Sequence, residues 1–523
     1  MSAAPDPARE TTGPRRPGLV LTALIGSAFV SNLNLAAAGV ALPSIGDAFD
    51  APLSALNLVA VGTGLGLSMS VVYFGALADR YGRKQLLMLG LTLMVVASAL
   101  SSVAPSIDVL IAARIFTGLA AGLAFPTTLS LITALWAQGP RRTGAIALWS
   151  AVAGMASIIG GILSGLLLLA FWWGSAFLLS VPLALGALAL VAVGVPAHVN
   201  ESTRPVDHLG GALSAIGIAS LVLGISLVFD PGQQTLGITL LGAAAVLILL
   251  FGWRQRRAPE PLYDLAVARR RTFWAPAVAG AIVFGSFIGS MYVGQQYMQN
   301  VLGYEALQAG LAVAPAAVGL LVAAPLAARL VSARGTRVAM VLGCALVLAA
   351  FVIMLFWRDD TVYLLIGAPF LLIGAGASFV LTGASRSLTS STPVRRVGMA
   401  SATSDLQSDL GGSIMQALLG ALLAAGFATH FGRLIAASPE AATVSADVTS
   451  ALQASYASAL QVAQRYPQFH DAIVSAARES LVAGAFGAYL VGAITILGGM
   501  LVACFAVPSH RREQQLLAQY KEH

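Results

Sequence analysis

The chain has 523 residues, of which 58% are hydrophobic and only 10% are charged, and its formal net charge is +7. A soluble domain cannot bury so much apolar surface, so this composition excludes an ordinary globular protein and predicts an all-α polytopic membrane protein. The polar residues 1–18 lack a short apolar core followed by a small-residue cleavage site, so we expect no removable signal peptide.

Apolar runs close to the ~20 residues needed to cross a bilayer recur along the whole chain. We predict fourteen spans, at about 19–42, 54–78, 86–103, 108–134, 144–169, 173–195, 209–229, 235–253, 274–298, 307–331, 338–357, 362–386, 398–428 and 481–506. An even number of spans places both termini on the same side of the membrane.

The basic residues are distributed unevenly between the two sides of these spans. Four of the 29 (Arg358, Arg433, Arg465 and Arg478) fall on one side, Arg114 falls inside a span, and the others lie in the tails and loops of the opposite side. By the positive-inside rule, both termini are then cytoplasmic. Arg outnumbers Lys 27 to 2, which is typical of a GC-rich bacterial genome. We therefore expect a multi-pass protein of the bacterial cytoplasmic (inner) membrane, with the lipid bilayer and no nucleic acid as partner.

An internal repeat relates the two ends of the chain. The segment Gly82–Gly90 parallels Gly335–Gly343 at an offset of 253 residues, and Arg141–Gly144 parallels Arg395–Gly398 at 254. Two six-helix halves in the same orientation would produce this pattern. We expect a tail (1–18), a first bundle (19–195), a linker with two extra helices (196–273), a second bundle (274–506) and a tail (507–523). The loop 429–480 in the second bundle is extracytoplasmic, and we expect a small helical cap there.

The ten residues 75–84, where the second span ends and the chain turns into the third, combine one acid with three basic side chains. We expect Asp79 to bond the N-terminus of the next helix, the basic side chains to reach the carbonyl end of a neighbouring helix, and Gly75 and Gly82 to allow close packing. An ordinary positive-inside loop would explain the charges equally well. The whole pattern, however, resembles the signature loop between helices 2 and 3 of the major facilitator superfamily. The resemblance implies a gating loop made of Gly75, Asp79, Arg80, Gly82, Arg83 and Lys84.

Three ionisable residues stand out well inside predicted spans, away from the span ends, where each costs roughly 2.5–3.5 kcal/mol on insertion scales. They are Arg114 in span 4 and Asp405 and Asp409 in span 13. The two acids are spaced i, i+4 and share one helix face. At an offset of 254 they correspond to Ala151 and Met155, so the fold does not need acids there. They could be structural, pairing with Arg114 or a backbone group, or they could form a site that shares one proton and releases it when the cavity changes sides.

Two further motifs resemble those of the same superfamily. The segment Arg114–Gly118 resembles its helix 4 motif, in which the Arg is tied to proton transfer, although Thr117 stands where the family usually has Gln. A structural alternative is that Arg114 bonds carbonyl groups inside the bundle.

Helix 5 resembles the antiporter motif Gly-Pro-x-x-Gly-Gly through Gly160, Gly161, Ser164 and Gly165. The Pro is missing, so we expect close packing without the fixed kink; a generic small-residue packing face is the alternative.

Other segments resemble the fourteen-helix drug:proton antiporter branch of the superfamily. They are Ala41–Pro43, Trp173–Pro182 and Gln296–Gly303. The branch often carries an Asp in helix 1 where this chain has Asn34, so proton coupling would fall on Asp405 and Asp409, and the case for cationic drugs is weaker. The family fold would place several polar residues around a cavity, although each could instead form a hydrogen bond between helices. They are Asn32, Asn34, Asn57, Tyr292, Gln295, Gln296 and Gln299.

These resemblances imply the major facilitator fold, with two six-helix bundles in parallel pseudo-repeat plus two inserted helices. We expect a secondary transporter, not an enzyme, that exports amphipathic small molecules or drugs in exchange for protons by alternating access. We expect a monomer with no metal and no cofactor other than the coupling proton. Export of a lipid or an endogenous metabolite is the alternative. Two other classes rank last. A membrane-embedded enzyme is disfavoured because all six His lie in loops, tails or span ends. A nucleotide-driven pump is disfavoured because the sequence has no G-x-x-x-x-G-K-[ST] loop.

Overall fold

The computed structural model describes residues 14, 16–136, 140–197, 205–230, 232–358, 361–391, 397–439 and 444–522. Throughout these ranges every regular element is a helix, so the all-α expectation is confirmed.

The elements fall into two halves joined by a linker. The first half contains α1 (Pro17–Phe49), α2 (Leu53–Tyr81), α3 (Arg83–Ser102), α4 (Ile107–Leu135), α5 (Pro140–Leu168), α6 (Ser175–Leu178) and α7 (Ser180–Gly194). The linker contains α8 (His208–Leu227), α9 (Gln234–Arg257) and α10 (Leu265–Ala268). The second half contains α11 (Arg271–Asn300), α12 (Ala306–Ala312), α13 (Ala314–Arg334), α14 (Thr336–Met354), α15 (Tyr363–Ser390), α16 (Val397–Ala437), α17 (Ala446–Ala454), α18 (Tyr456–Arg465) and α19 (His470–Phe505), followed by α20 (His510–Glu522).

Thirteen helices of the described chain are long and apolar enough to cross a membrane, and the protein is a multi-pass membrane protein. They coincide with thirteen of the predicted spans. The remaining predicted span lies on α5. Within α5, Ile159–Leu168 is an apolar helical segment shorter than the thirteen others. The count of fourteen stays a prediction.

The helices pack in the same way in the two halves. In the first half α4 packs along both α2 and α3, and in the second half α15 packs along both α13 and α14. The turns before α3 and α14 also match. Gly82 has φ 108° and Gly335 has φ 88°, a backbone conformation that favours glycine because it lacks a Cβ.

The crossing of α2 and α4 depends on two glycines. A methyl group at Gly66 would overlap the carbonyl oxygen of Ile115, and one at Gly118 would overlap that of Thr63. The two backbones therefore touch directly, as small residues allow in membrane helices. This contact places Arg114, one turn before Gly118, against the middle of α2.

The loops gather at two ends of the bundle. We call the end that contains the basic turn between α2 and α3 (80–84) the basic face, and the end that contains the turn between α1 and α2 (50–52) the opposite face. At the basic face Lys84 Nζ donates to the Ala192 carbonyl over 2.8 Å, which joins the α2–α3 turn to the end of α7. At the opposite face Ser458 of α18 donates to Asp50 over 2.6 Å, which joins the second half to the end of α1. The structure has two short helices, α17 and α18, in the segment where we expected a helical cap.

The linker helix α8 packs against α2 and α16, one helix from each half. Val61 and Leu65 of α2, Val222 of α8 and Ala417 of α16 share one buried apolar cluster. The base of the helix pair is held by Asp207, which caps α8 and accepts a 3.0 Å hydrogen bond from Arg254 Nε of α9. The inserted helices therefore cover one seam between the halves.

Candidate functional site

Arg114 is fully buried in the first half. Its Nη2 donates to the Asn34 carbonyl of α1 over 2.6 Å, and its guanidinium carbon lies 4.8 Å from the centre of the Phe177 ring. In the part of the chain that the structure describes, no carboxylate pairs with it, and its Nε and Nη1 have no hydrogen-bond partner. In this conformation Arg114 thus bonds a carbonyl group, as in the structural alternative. Its two unpaired nitrogens could bond a further group, since a buried charge without partners is costly.

Two asparagines of α1 use their side chains within the first half. Asn34 is fully buried; its amide donates to the Val30 carbonyl over 3.1 Å, and its Oδ1 accepts from Ser180 of α7 over 3.1 Å. Asn32 donates to the Ala28 carbonyl over 3.2 Å. Asn34 therefore joins α1 to α4 through its carbonyl and to α7 through its side chain.

Asp409 lies on α16 at the seam with α2 and is partly buried. Its carbonyl accepts from Ser413 Oγ over 2.9 Å, and the same Oγ lies 3.0 Å from Ser68 Oγ of α2. This serine pair is a polar contact between the two halves, one turn from the carboxyl of Asp409. Asp405 is one turn further towards the basic face on α16, and its side chain lies outside the described part of the structure.

A second polar contact between the halves lies further along the same seam. Asn57 Nδ2 of α2 donates to the Ala417 carbonyl of α16 over 3.2 Å, and Gly420 leaves room for the Asn57 side chain. The predicted cavity residue Asn57 is thus an interhelical bond in this conformation.

The polar residues of α11 form a ladder towards the opposite face. Gln295 donates to the Ala309 carbonyl over 3.1 Å and accepts from Gln299 over 3.1 Å, and Gln296 accepts from Asn300 over 2.7 Å. Tyr292 is buried one turn below, and no described group hydrogen-bonds its hydroxyl.

A cavity of about 60 Å³ lies between the halves at the opposite face, walled by α1, α2, α11 and α18. Its polar lining includes Asp47, Gln296, Asn300 and Tyr456. Of these, sequence reasoning identified only Gln296. Asp47 was missed because the predicted first span stops at 42, whereas α1 continues to Phe49. Tyr456 was missed because its position depends on how α18 folds back over α1.

The antiporter-like motif on α5 packs tightly on two sides. A methyl group at Gly160 would lie 2.9 Å from the Leu33 carbonyl of α1, and one at Gly165 would lie 2.9 Å from Leu307 Cα of α12, in the other half. Gly161 has more room, with Val40 of α1 3.7 Å away. Ser164 is fully buried, and no described residue bonds its hydroxyl. The motif therefore packs α5 against α1 and the second half.

The signature loop lies at the basic face. Arg83 Nε donates to Asp79 over 2.9 Å, so Asp79 bonds the side chain of the first residue of α3. Of the basic side chains, Lys84 reaches a carbonyl at the end of a neighbouring helix, as expected. One expectation is wrong in this conformation. Nothing lies within 4 Å of a methyl group placed at Gly75, so Gly75 does not mediate a close helix contact.

The segment between α9 and α11 connects the linker to α16 at the basic face. Gln255 of α9 accepts from the Tyr263 backbone over 3.0 Å. Burial raises the pKa of the Tyr263 hydroxyl, and a hydrogen bond with Thr403 of α16 lowers it by less. Tyr263 thus meets α16 two residues before Asp405.

The sequence matches the model of the Major Facilitator Superfamily over residues 24–416. It is 30% identical over 399 residues to the multidrug resistance protein Stp of Mycobacterium tuberculosis (strain CDC 1551 / Oshkosh), covering 76% of this chain and 74% of Stp. It is 27% identical over 452 residues to the multidrug efflux pump LfrA of Mycolicibacterium smegmatis, covering 84% of this chain and 90% of LfrA. It is also 27% identical over 413 residues to the tetracenomycin C resistance and export protein of Streptomyces glaucescens, covering 78% of this chain and 76% of that protein.

Solved transporter structures share the fold at low sequence identity. A bacterial homologue of the human lysosomal transporter Spinster, in an inward-facing and occupied conformation, superposes with a TM-score of 0.59 at 16% identity, covering 94% of this chain and 97% of that one. The peptide transporter POT in complex with sulfate gives a TM-score of 0.60 at 14% identity, covering 92% and 94%. The family and fold expected from the motifs are confirmed: this chain belongs to the major facilitator superfamily, a family of transporters.

Proposed function

We propose that this protein exports amphipathic small molecules, including drugs, in exchange for protons. The relatives named above are multidrug resistance, efflux and export proteins, which supports drug export. We further propose that the protein acts as a monomer in a bacterial cytoplasmic membrane, with the basic face and both termini in the cytoplasm.

The position of Asp409 carries the proposal of proton coupling. The carboxyl is on α16, one turn from the Ser413–Ser68 contact that joins the halves. A movement of the halves about this seam changes which compartment the carboxyl faces. Protons that bind to Asp405 and Asp409 from outside would weaken substrate binding, and their release inside would reset the cycle. Each charge moved through 100 mV supplies ~2.3 kcal/mol, enough for modest concentration gradients.

The contacts between the halves support alternating access. At the opposite face, α5 packs on α12 through Gly165, α1 approaches α11 at Gly39, and α18 bonds to the end of α1. With the basic face in the cytoplasm, these contacts close the protein towards the outside. When the protein opens towards the outside during transport, these contacts would have to separate.

A second cargo class, a lipid or an endogenous metabolite, is favoured by two observations. Asn34 replaces the acid common in helix 1 of the resembled branch, and within the described residues Arg114 has no carboxylate partner. A buried positive charge disfavours a cation nearby and favours neutral or anionic cargo.

Inverted membrane vesicles test both parts of the proposal. Uptake of fluorescent amphipathic dyes is measured under an imposed pH gradient for wild type, Asp405→Asn and Asp409→Asn, with Asp108→Asn, an exposed acid at the start of α4, as the matched control. We expect gradient-driven uptake in wild type and control, and its loss in at least one of the other variants. Full gradient-driven uptake in both would refute the carboxylate assignment. Anionic lipid-like dyes carried in preference to cationic ones would favour the second cargo class.

A further inference from the structure

The turn before α14 lacks the acid that its counterpart before α3 contains. At the repeat offset of 253, Gly82 corresponds to Gly335 and Arg83 to Thr336, but Asp79 corresponds to Ser332. In the first half the Asp79 carboxylate bonds Arg83, the first residue of the following helix. No residue of the second turn itself can make this bond.

A carboxylate from the far end of the chain occupies the equivalent place. Glu513 of α20 is buried, with 6% of its surface exposed. Its carboxylate accepts a 2.7 Å hydrogen bond from Thr336 Oγ1 and a 3.3 Å hydrogen bond from the Thr336 backbone N–H. Thr336 is the first residue of α14, so a carboxylate bonds the first residue after the turn in both halves, where a negative charge also favours the helix N-terminus.

The rest of α20 is docked in the same region. His510 lies against Gly335, since a methyl group there would be 2.7 Å from His510 Nδ1. At the other end of α20, the Arg270 guanidinium lies 4.1 Å from the centre of the Tyr520 ring. The segment predicted as a C-terminal tail is therefore a helix held at both ends to the second half.

We propose that Glu513 is a positioning residue for transport: α20 supplies the carboxylate that the second turn lacks and thereby fixes the α13–α14 turn at the basic face. The inference rests on the proposed transport function. In the first half the acid belongs to the turn and cannot leave it. In the second half the restraint lasts only while α20 is docked, so the C-terminal helix sets how firmly this turn is held when the halves move.

Isosteric substitution with a second-site rescue tests this. Glu513→Gln keeps the shape and removes the charge, whereas Ser332→Asp places a carboxylate where the repeat has one. Ser332 is exposed and its Oγ lies 3.4 Å from Arg386 Nη1, so the new acid has a cationic neighbour and lies one turn before Thr336. Arg512→Gln, on the exposed side of α20, is the matched control.

Two readouts separate positioning from simple loss of folding. The first is dye transport: we expect Glu513→Gln to lower the maximal rate at least fivefold with the half-saturating dye concentration unchanged, and Ser332→Asp/Glu513→Gln to restore it to within twofold of wild type. The second is the distance distribution between spin labels at Tyr81→Cys and Arg334→Cys, in a Cys504→Ser background, which we expect to broaden in Glu513→Gln and to narrow again in the double variant.

Two results would overturn the proposal. One is a Glu513→Gln variant whose rate and distances match those of Arg512→Gln. The other is a slow Glu513→Gln variant that Ser332→Asp does not restore. If wild type transports no dye, the proposed function fails, and the spin-label distances still decide the role of Glu513.

Discussion

The Arg114 guanidinium on α4 donates to the backbone carbonyl of Asn34 on α1 over 2.6 Å, while the Asn34 side chain accepts from Ser180 on α7. A single residue of α1 therefore holds the buried cation through its backbone and a third helix through its amide. The contact lies inside the first half, next to the α2–α4 crossing.

Arg114→Lys tests whether the shape of the cation matters in addition to its charge. A guanidinium can bond the Asn34 carbonyl and lie over Phe177 at once, whereas an ammonium is a point charge that cannot do both. We expect transport to fall at least tenfold, which corresponds to about 1.4 kcal/mol, while the purified protein remains monodisperse. Transport within twofold of wild type would show that a positive charge alone suffices.

Asn34→Asp introduces the acid that the resembled branch often carries. A carboxylate on the residue that already bonds Arg114 would compensate the buried positive charge and lower the repulsion felt by a cation in the cavity. We expect the transport rate of cationic dyes relative to neutral dyes to rise at least threefold, measured with matched dye pairs in vesicles. Asn34→Ala, which removes the Ser180 bond without adding charge, is the control and should leave the ratio unchanged. A rise in both variants would contradict the electrostatic explanation.

Gly66→Ala tests the direct backbone contact between α2 and α4. The added methyl group would overlap the Ile115 carbonyl oxygen, and overpacking of this kind costs about 1–3 kcal/mol. We expect a melting temperature several degrees lower in detergent. Gly75→Ala, on the same helix with open space around it, is the matched control and should melt like wild type. Equal melting of the two variants would mean that the crossing is looser than described.

Gly165→Ala tests the contact between the halves at the opposite face. The methyl group would lie 2.9 Å from Leu307 Cα of α12 and would push α5 away from the other half. We expect the closed opposite face to open, so that a cysteine placed at Ala457, which lines the cavity at this face, reacts at least fivefold faster with an impermeant maleimide in the Cys504→Ser background. Gly161→Ala, in the same motif with its nearest neighbour 3.7 Å away, should leave the rate unchanged. Comparable labelling in both variants would argue against this contact as a closing element.

Several features followed from local sequence. The span positions, the helical segments of the loop 429–480 and the matching glycine turns at Gly82 and Gly335 depend on hydropathy and on backbone preferences of neighbouring residues. The family followed from short motifs, because their residues lie close together in the chain.

The pairing of distant residues did not follow from the sequence. Asn57 bonds a carbonyl 360 residues away, and Glu513 bonds Thr336 across 177 residues. The neighbouring sequence of either residue does not predict its hydrogen-bond partner, because a buried Asn or Glu bonds whichever polar group the packing brings near. The cavity that Asp47 lines likewise exists only because α18, which comes much later in the chain, folds back over the end of α1.

The sequence by itself thus determined that this chain crosses a membrane many times, is built as a repeat and carries the motifs of a transporter family, because hydrophobic length and motif spacing are local properties. Only the tertiary structure decided that the Asn34 carbonyl bonds Arg114, that Gly165 of α5 meets the second half and that Glu513 of α20 bonds Thr336 after the second turn. Those contacts depend on how the helices pack against one another after they have formed. The free energy of that packing comes from contacts throughout the bundle and not from any local segment.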